Sequence, residues 1–550
     1  MKVISLLMRA SRGLFLLAIV LGVTSGASSA RLIALINQVL TGEGPLQRST
    51  VFTFVGVGLL AMASRTATQM LLVRLNSGTL YQLRMRLSRR ILSAPLRNLE
   101  VVGNPRLLSA LQEDAITVSQ GLVQLPTLVI DAATIIGCLV YLAYLSGFVF
   151  MGMVAVLVLG LTMYMLLQRR ARALLFRARQ KVNTLFAHFG ALTGGIKELK
   201  LHRRRRVAFL DEALEPTAAD IRKLFTRSAD FGAYGQAWGF LLLFTLIGLL
   251  LFAYPAFAGV DHKTLVGYTL VVLYLQQPLD STMNLVHMLL RVGVAAGNIE
   301  ELGLSITQQG AEEAIAEVEE PRTFQRLELV GVTHAYHREN EDTRFTLGPI
   351  SLSLVPGECV FLVGGNGSGK TTLAKLLTGL YRPESGEIRL DGQVVVTDAE
   401  RNRYRQHFTT VFSDFHLFGQ FLGLGSPELI ARAGELLRRL HLDRKVKIEN
   451  GKLSTTELSQ GQRKRLALLT AYLEDRPIYV FDEWAADQDP TFKDVFYKEL
   501  LPELKAAGKS LVVISHDDRY FALADRVIRL ESGLVVDAPV AAALRSGTAG

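Results

Sequence analysis

Six stretches of about twenty mostly apolar residues lie between positions 14 and 295, and none follows position 321. That pattern constrains the chain more than any other feature in it. A helix rises 1.5 Å per residue, so a run of twenty spans roughly 30 Å, the thickness of the hydrocarbon core of a bilayer. The first run goes from Leu14 to Ile36. The others are Val51 to Val73, Leu122 to Leu145, Phe148 to Leu167, Ala237 to Tyr254 and Thr264 to about Val294. They predict a helical membrane domain over residues 1–310, an acidic linker over 311–321 carrying Glu312, Glu313, Glu317, Glu319 and Glu320, and a soluble α/β domain over 322–550.

Lys2, Arg9 and Arg12, an apolar run and then Ala27, Ser28, Ser29 and Ala30 also make up the parts of a cleavable signal. Apolar character resumes at Leu32, Ile33, Leu35 and Ile36 and more spans follow, so an uncleaved first helix is expected. The whole chain is 49% hydrophobic, with mean hydropathy +0.28, too apolar for an ordinary soluble enzyme. Its net charge of +10 does not point to nucleic acid, because the cations cluster between spans. Arg84, Arg86, Arg89, Arg90, Arg97 and Arg106 fill the second-to-third connection; Arg169, Arg170, Arg172, Arg177, Arg179, Lys181 and Arg203 to Arg206 fill the fourth-to-fifth. The positive-inside rule then puts both termini and both long connections in the cytoplasm. Two cysteines, Cys138 and Cys359, cannot form a disulfide framework and read as reduced packing residues.

Each long connection runs for more than forty residues in a helical pattern broken by short turns, such as Val102 to Pro105 and Gly194 to Gly195. Membrane helices that continue into the cytoplasm and reverse there explain this. The reversals near Val102 to Arg106 and Leu201 to Arg206 are candidate contacts with the soluble domain, although Arg203 to Arg206 equally suit anionic lipid headgroups. Ionisable residues inside spans default to function or to helix packing. Arg65 and Asp131 lie at similar depth, roughly 21 to 22 Å from the outer ends of their spans, and are expected to pair. Arg31, Asn37, Gln69, Gln276, Gln277, Asn284 and His287 are further candidates for lining a substrate cavity.

In the soluble part the apolar run Cys359 to Val363 is followed by Gly364, Gly365, Asn366, Gly367, Ser368, Gly369, Lys370, Thr371 and a helix-like stretch beginning at Thr372. This is a P-loop. Glycines let successive backbone N–H groups converge on a polyphosphate, the helix presents its positive end, Lys370 reaches the outer phosphates, and Thr371 can hold Mg²⁺. A second apolar strand, Ile478 to Phe481, ends in Asp482 and Glu483, an acid placed for Mg²⁺ and a neighbour placed to polarise water. Leu458, Ser459, Gln460, Gly461 and Gln462 open another helix and offer N–H groups to an anion. A third strand, Leu511 to Ile514, delivers His516 near the expected γ-phosphate. Tyr336 stands where an aromatic ring can stack on adenine.

In this order and spacing the pieces resemble the cassette of ABC transporters, and six spans followed by one cassette resemble a type I ABC exporter half-transporter. The resemblance implies that Tyr336 stacks on adenine, that Gly364 to Thr372 bind ATP, and that Ser459, Gln460, Gly461 and Gln462 form the signature. It implies that Asp482 holds Mg²⁺, Glu483 is the catalytic base, Asp489 is the D-loop acid and His516 is the switch histidine. In that family the signature of one cassette closes on the P-loop of another, so a homodimer with two composite ATP sites is implied. Where most cassettes carry a metal-contacting glutamine, this chain has Ser413. The strings Val411 to Phe418, Asp482 to Pro490 and Ile514 to Phe521 are similar to those of the bacterial cyclic-peptide exporter family, which handles syringomycin-type lipopeptides, pyoverdine siderophore precursors and small antibacterial peptides. The function expected on that basis is ATP-driven export of a peptide across the bacterial inner membrane. A lipid or lipopeptide flippase, or an ATP-gated channel or regulatory subunit, is the alternative.

Overall fold

The computed structural model describes residues 12–40, 48–253, 262–307, 323–336 and 345–536. The expected linker 311–321 lies outside them. Two compact units emerge: Met1–Ser88 with Leu108–Glu301, and Arg89–Leu107 with Leu302–Gly550. The segment Arg89–Leu107, which the sequence places in the membrane part, thus packs with the second unit.

The first unit is helical. Its long elements are α1 (Arg12–Leu40), α2 (Arg48–Ser93), α5 (Ala115–Leu145), α6 (Gly147–Gly194), α9 (Glu215–Gly248) and α10 (His262–Thr307). Two six-residue helices, α7 (Ile196–Leu201) and α8 (Arg203–Ala208), separate α6 from α9, while α3 (Leu96–Val102) and α4 (Asn104–Ser109) separate α2 from α5. Among the described residues five helical stretches are long and apolar enough to cross a membrane. The sixth expected span coincides with α10. Gln276, Gln277 and Asp280 interrupt its apolar face and leave it short of the hydropathy of the other five.

α1 continues unbroken through Ala27–Ala30. Its small residues serve packing: a methyl group on Gly22 would stand 2.0 Å from Ile130 of α5, and one on Gly26 would stand 2.7 Å from Thr134. Close helix approach through small residues is how helices associate where no water drives them together. Cys138 is buried in the cluster that α5, α6, α9 and α10 share, as a packing thiol.

In the second unit a six-stranded sheet has the order β12 (Leu534–Val536), β11 (Arg526–Glu531), β3 (Cys359–Gly364), β10 (Ser510–Ile514), β9 (Ile478–Asp482), β6 (Phe408–Val411), parallel except for β12. Every residue of β9 and β10 is buried, as expected of parallel strands covered on both faces. Alternate residues serve two cores. Phe361, Tyr479, Phe481, Leu511 and Val513 face α13 (Pro427–Arg439) and α14 (Gln460–Glu474). Val360, Leu362, Val480, Val512 and Ile514 face α11 (Lys370–Leu377) and an antiparallel sheet of order β2 (Phe345–Leu354), β1 (Leu327–Tyr336), β4 (Ser385–Leu390), β5 (Gln393–Val394). Cys359 is buried in the first of these cores, and burial pushes its thiol up to about 12.

Candidate functional site

Four neighbouring strands, β3, β10, β9 and β6, end on the same side, because their parallel registers align Leu362 with Ile514, Ile514 with Asp482 and Phe481 with Val411. Carboxyl ends of parallel strands are where such sheets bind ligands. The chain delivers its P-loop, His516, Asp482 with Glu483, and Ser413 to that one edge.

The P-loop depends on glycine where the backbone is left-handed or crowded. Gly369, with φ of 101°, caps α11, and a side chain there would meet Leu347 at 2.6 Å; one on Gly364 would meet the Leu530 carbonyl at 2.2 Å. Lys370 is buried, and its Nζ donates to the carbonyls of Gly364 and Gly365, both at 3.0 Å. Burial lowers its pKa, a shift that the nearby carboxylates of Glu483 and Asp482 oppose.

Asp482 is buried to 1% exposure and collects two hydroxyls. Thr371 Oγ1 donates to its Oδ2 at 3.0 Å, and Ser413 Oγ donates to the same oxygen at 3.3 Å. The set is all oxygen, and no ammonium or guanidinium is within ion-pair distance of the acid among the described residues. Such donors fit Mg²⁺, a hard cation that takes one or two carboxylates plus substrate phosphates. Burial raises the carboxyl of Asp482 above the ordinary aspartate range. An acid whose folded pKa is raised contributes full stability only below its unfolded value, and loses that contribution as pH rises through the folded one. Asp482→Asn is therefore expected to melt higher than the parent at neutral pH in chelator, by about 2–4 °C if the relief is near 1 kcal/mol, and to lose the added stability that Mg²⁺ with nucleotide confers. Thermal scans with and without Mg²⁺ and nucleotide read both effects.

Glu483 is left-handed, with φ 49° and ψ 35°, a conformation that costs a non-glycine residue roughly 1–2 kcal/mol. Its N–H donates to the Ile514 carbonyl at 3.1 Å, and its Oε1 lies 3.0 Å from His516 Nε2. A carboxylate only accepts, so that imidazole nitrogen carries the hydrogen. Tyr336 closes β1, and its side chain is outside the described residues.

Ser459 caps α14 in a reciprocal box with Gln462. A methyl group on Gly461 would stand 2.8 Å from the Asp487 carbonyl, so the signature lies directly against the loop after Glu483. Gln488 Nε2 donates to the Gly461 carbonyl at 2.9 Å. Arg465 joins Gln488 and Asp489 at 2.9 and 2.6 Å and lies over the Phe492 ring. Asp489 caps the helix Pro490–Asp494, and its bond from Phe492 N–H holds its carboxyl below the usual range. Among the described residues none of Ser459, Gln460, Gly461 and Gln462 bonds the P-loop of its own chain.

Residues 347–486 match the family model described as ABC transporter. Over 524 residues, 94% of this chain and 92% of the relative, the sequence is 38% identical to the ATP-binding protein SyrD of Pseudomonas syringae pv. syringae. The chain belongs to the ABC transporter family. It is also 30% identical over 503 residues to the ATP-dependent lipid A-core flippase of Cupriavidus metallidurans, covering 88% of this chain and 82% of that one. A solved bacterial Atm1-family ABC exporter with ATP bound shares the fold, with a TM-score of 0.73 over 96% of this chain and 95% of that one at 17% identity. This ABC chain is an exporter half-transporter, in which a multi-pass helical part precedes one cassette that binds and hydrolyses ATP to drive transport.

Within the second unit, part of the connection between α2 and α5 packs on the cassette. α3 docks on the cassette through Leu96, which packs against the core of β1, β2 and α11. Arg97 donates to Glu384 Oε1 at 2.8 Å and to the Ala335 carbonyl at 3.1 Å, beside Tyr336. Glu100 accepts from Lys375 Nζ at 2.8 Å and from the Tyr381 hydroxyl. These docking contacts run from Leu96 to Glu100, in α3, and Val102 to Arg106 follow directly in the same unit. Leu201 to Arg206 belong to the first unit. The Ser413 hydroxyl bonds Asp482, and its neighbour Phe412 packs against the same core as Leu96.

The expected Arg65 and Asp131 pair is not formed. Arg65 is exposed, while Asp131 Oδ2 is buried without a hydrogen-bond partner. Ser64 and Thr68, not Arg65, form the buried face of α2 there. Arg31 lines a shallow cleft with Thr24, Ser28 and Val57. Gln276 lies on α10, and the side chain of His287 is outside the described residues. Sequence reasoning missed Arg97, Glu100, Lys464 and Arg465. Lys464 had a signal: it stands in register with Leu468, Ala471 and Tyr472 on the buried stripe of α14, an odd place for an ammonium.

Proposed function

We propose that this half-transporter works as a homodimer in the bacterial inner membrane, with both termini cytoplasmic. Its cargo is a peptide, as a cyclic peptide, lipopeptide or siderophore precursor of the pyoverdine kind, carried to the periplasm. The observation that carries this reading is the 38% identity to SyrD across nearly the whole chain, together with the strings at Val411, Asp482 and Ile514 that are similar to the cyclic-peptide exporters. A lipid or lipopeptide flippase is the second reading, favoured by the lower identity to lipid A-core flippases.

Each composite site takes the P-loop of one copy and the signature of the other. Gly364 to Thr372 cradle the phosphates, Tyr336 stacks on adenine, and Ser459 to Gln462 with Asp489 close the site from the partner. Mg²⁺, held by Thr371, Asp482 and Ser413, would neutralise charge on the phosphates. Glu483 polarises the attacking water, with Lys370 and His516 stabilising the γ-phosphate charge. Contacts made only in the closed dimer favour closure, and hydrolysis removes them. Arg31, Arg65, Asp131, Gln276 and His287 are proposed to line the cargo cavity.

Inverted vesicles supplied with ATP test the cargo. Uptake of a lysate peptide into the lumen, saturable and lost with a non-hydrolysable nucleotide, supports peptide export. Movement of labelled lipid between leaflets without peptide uptake selects the flippase.

A further inference from the structure

Lys464 sits one turn into α14 with its side chain 3% exposed. A buried ammonium must be paired, and this one has two partners on the loop after β9. Its Nζ donates to the backbone carbonyl of Glu483 at 2.9 Å and forms an ion pair with Asp487 Oδ2 at 2.7 Å. The arrangement is closed from the other side by Trp484, buried and stacked on Phe496, whose Nε1 donates to the Lys464 carbonyl at 2.8 Å. The α14 backbone and the Glu483 loop are therefore joined in both directions.

Glu483 needs such a hold. It is a non-glycine residue in the left-handed region, and that region persists only where surrounding structure over-determines it. β10 fixes its N–H through Ile514 and His516 holds its carboxylate, which leaves its carbonyl as the end that the sheet does not control. That carbonyl accepts from the Ala486 N–H at 3.2 Å within the loop itself and from Lys464 Nζ at 2.9 Å, so Lys464 is the side chain that ties it to α14. We propose that Lys464 is a positioning residue for hydrolysis: it locks the Glu483 peptide so that the carboxylate keeps its aim, and it does so from the helix whose first turn is the signature. Because Gly461 touches the Asp487 carbonyl, a nucleotide engaged at the signature is mechanically close to the Glu483 of the same chain.

The proposal rests on the reading of Glu483 as the residue that polarises water. The full chain in lipid vesicles is assayed for ATP hydrolysis as Lys464→Met, Asp487→Asn and the double variant. Lys464→Met keeps the length and apolar stem while removing the ammonium. It is expected to lower kcat by about 10- to 100-fold, the cost of misplacing a reacting group by about 1 Å, with KM for ATP within about threefold of the parent. Asp487 is half exposed, so Asp487→Asn keeps the fold even if Lys464→Met does not; it is expected to lower kcat about threefold to tenfold with KM unchanged. The double variant should be no worse than Lys464→Met, since both changes remove one device. Parent kcat in both single variants, or a rise in KM matching the fall in kcat, overturns the proposal. Glu483→Gln in parallel separates the two readings: if it hydrolyses ATP like the parent, the role of Glu483 is wrong, whereas if it is inactive and the Lys464 and Asp487 variants are normal, only the positioning role falls.

Discussion

Glu483→Gln is expected to bind ATP with the parent's affinity and to turn it over at least about 100-fold more slowly, because a positioned base contributes roughly 10²- to 10⁴-fold. The substitution is nearly isosteric. A glutamine carbonyl still accepts the hydrogen that His516 Nε2 offers across 3.0 Å, and the left-handed backbone remains held by Ile514 and Lys464. What disappears is basicity alone. The P-loop, with Lys370 against the Gly364 and Gly365 carbonyls, is untouched. Equilibrium binding of labelled ATP and steady-state phosphate release measure the two arms separately. Parent-like turnover would remove Glu483 from the chemistry, and weakened binding would mean that the residue shapes the nucleotide pocket instead.

Much of this site could be read before any coordinates because its information is local. Strand, glycine loop and helix follow one another between Cys359 and Leu377, and a strand of wholly buried residues running into Asp482 and Glu483 announces acids at a sheet edge. Parallel registers do the rest, placing pieces far apart in sequence on one edge. The long helices were legible for the same reason, since twenty apolar residues have few alternatives to a helix. α10 was less so: Gln276, Gln277 and Asp280 dilute its apolar face while its helix continues for 46 residues. Polar pairs across long separations left no periodic trace. Arg97 meets Glu384 across 287 residues, and Arg65 with Asp131 shows the converse, in which similar depth predicted a pair that side-chain direction does not make. Lys464 lies between these cases, out of place on its own helix but uninterpretable without its partners at Glu483 and Asp487.

The Glu100 contacts carry the second large expectation. α3 lies between α2 and α5 in the chain and packs with the cassette's unit, so its docked residues are where coupling to those helices is tested. Glu100 binds Lys375, five positions past Lys370 on the P-loop helix, and the hydroxyl of buried Tyr381, while Arg97 binds the Ala335 carbonyl beside Tyr336. One short helix therefore grips both the P-loop helix α11 and the strand β1 that ends in Tyr336. Arg97→Ala with Glu100→Ala removes all four bonds and leaves Leu96 packed, so the cassette keeps its core and its acid site. Transport in vesicles is expected to fall at least about tenfold while ATP hydrolysis stays within about threefold of the parent, since no side chain at Asp482, Glu483 or His516 is changed. A matching loss of both activities would show that docking builds the hydrolytic site itself. Full transport would show that coupling runs elsewhere, and would return Ser413, now bonded only to Asp482 among the described residues, to the place that a metal-contacting glutamine holds in most cassettes.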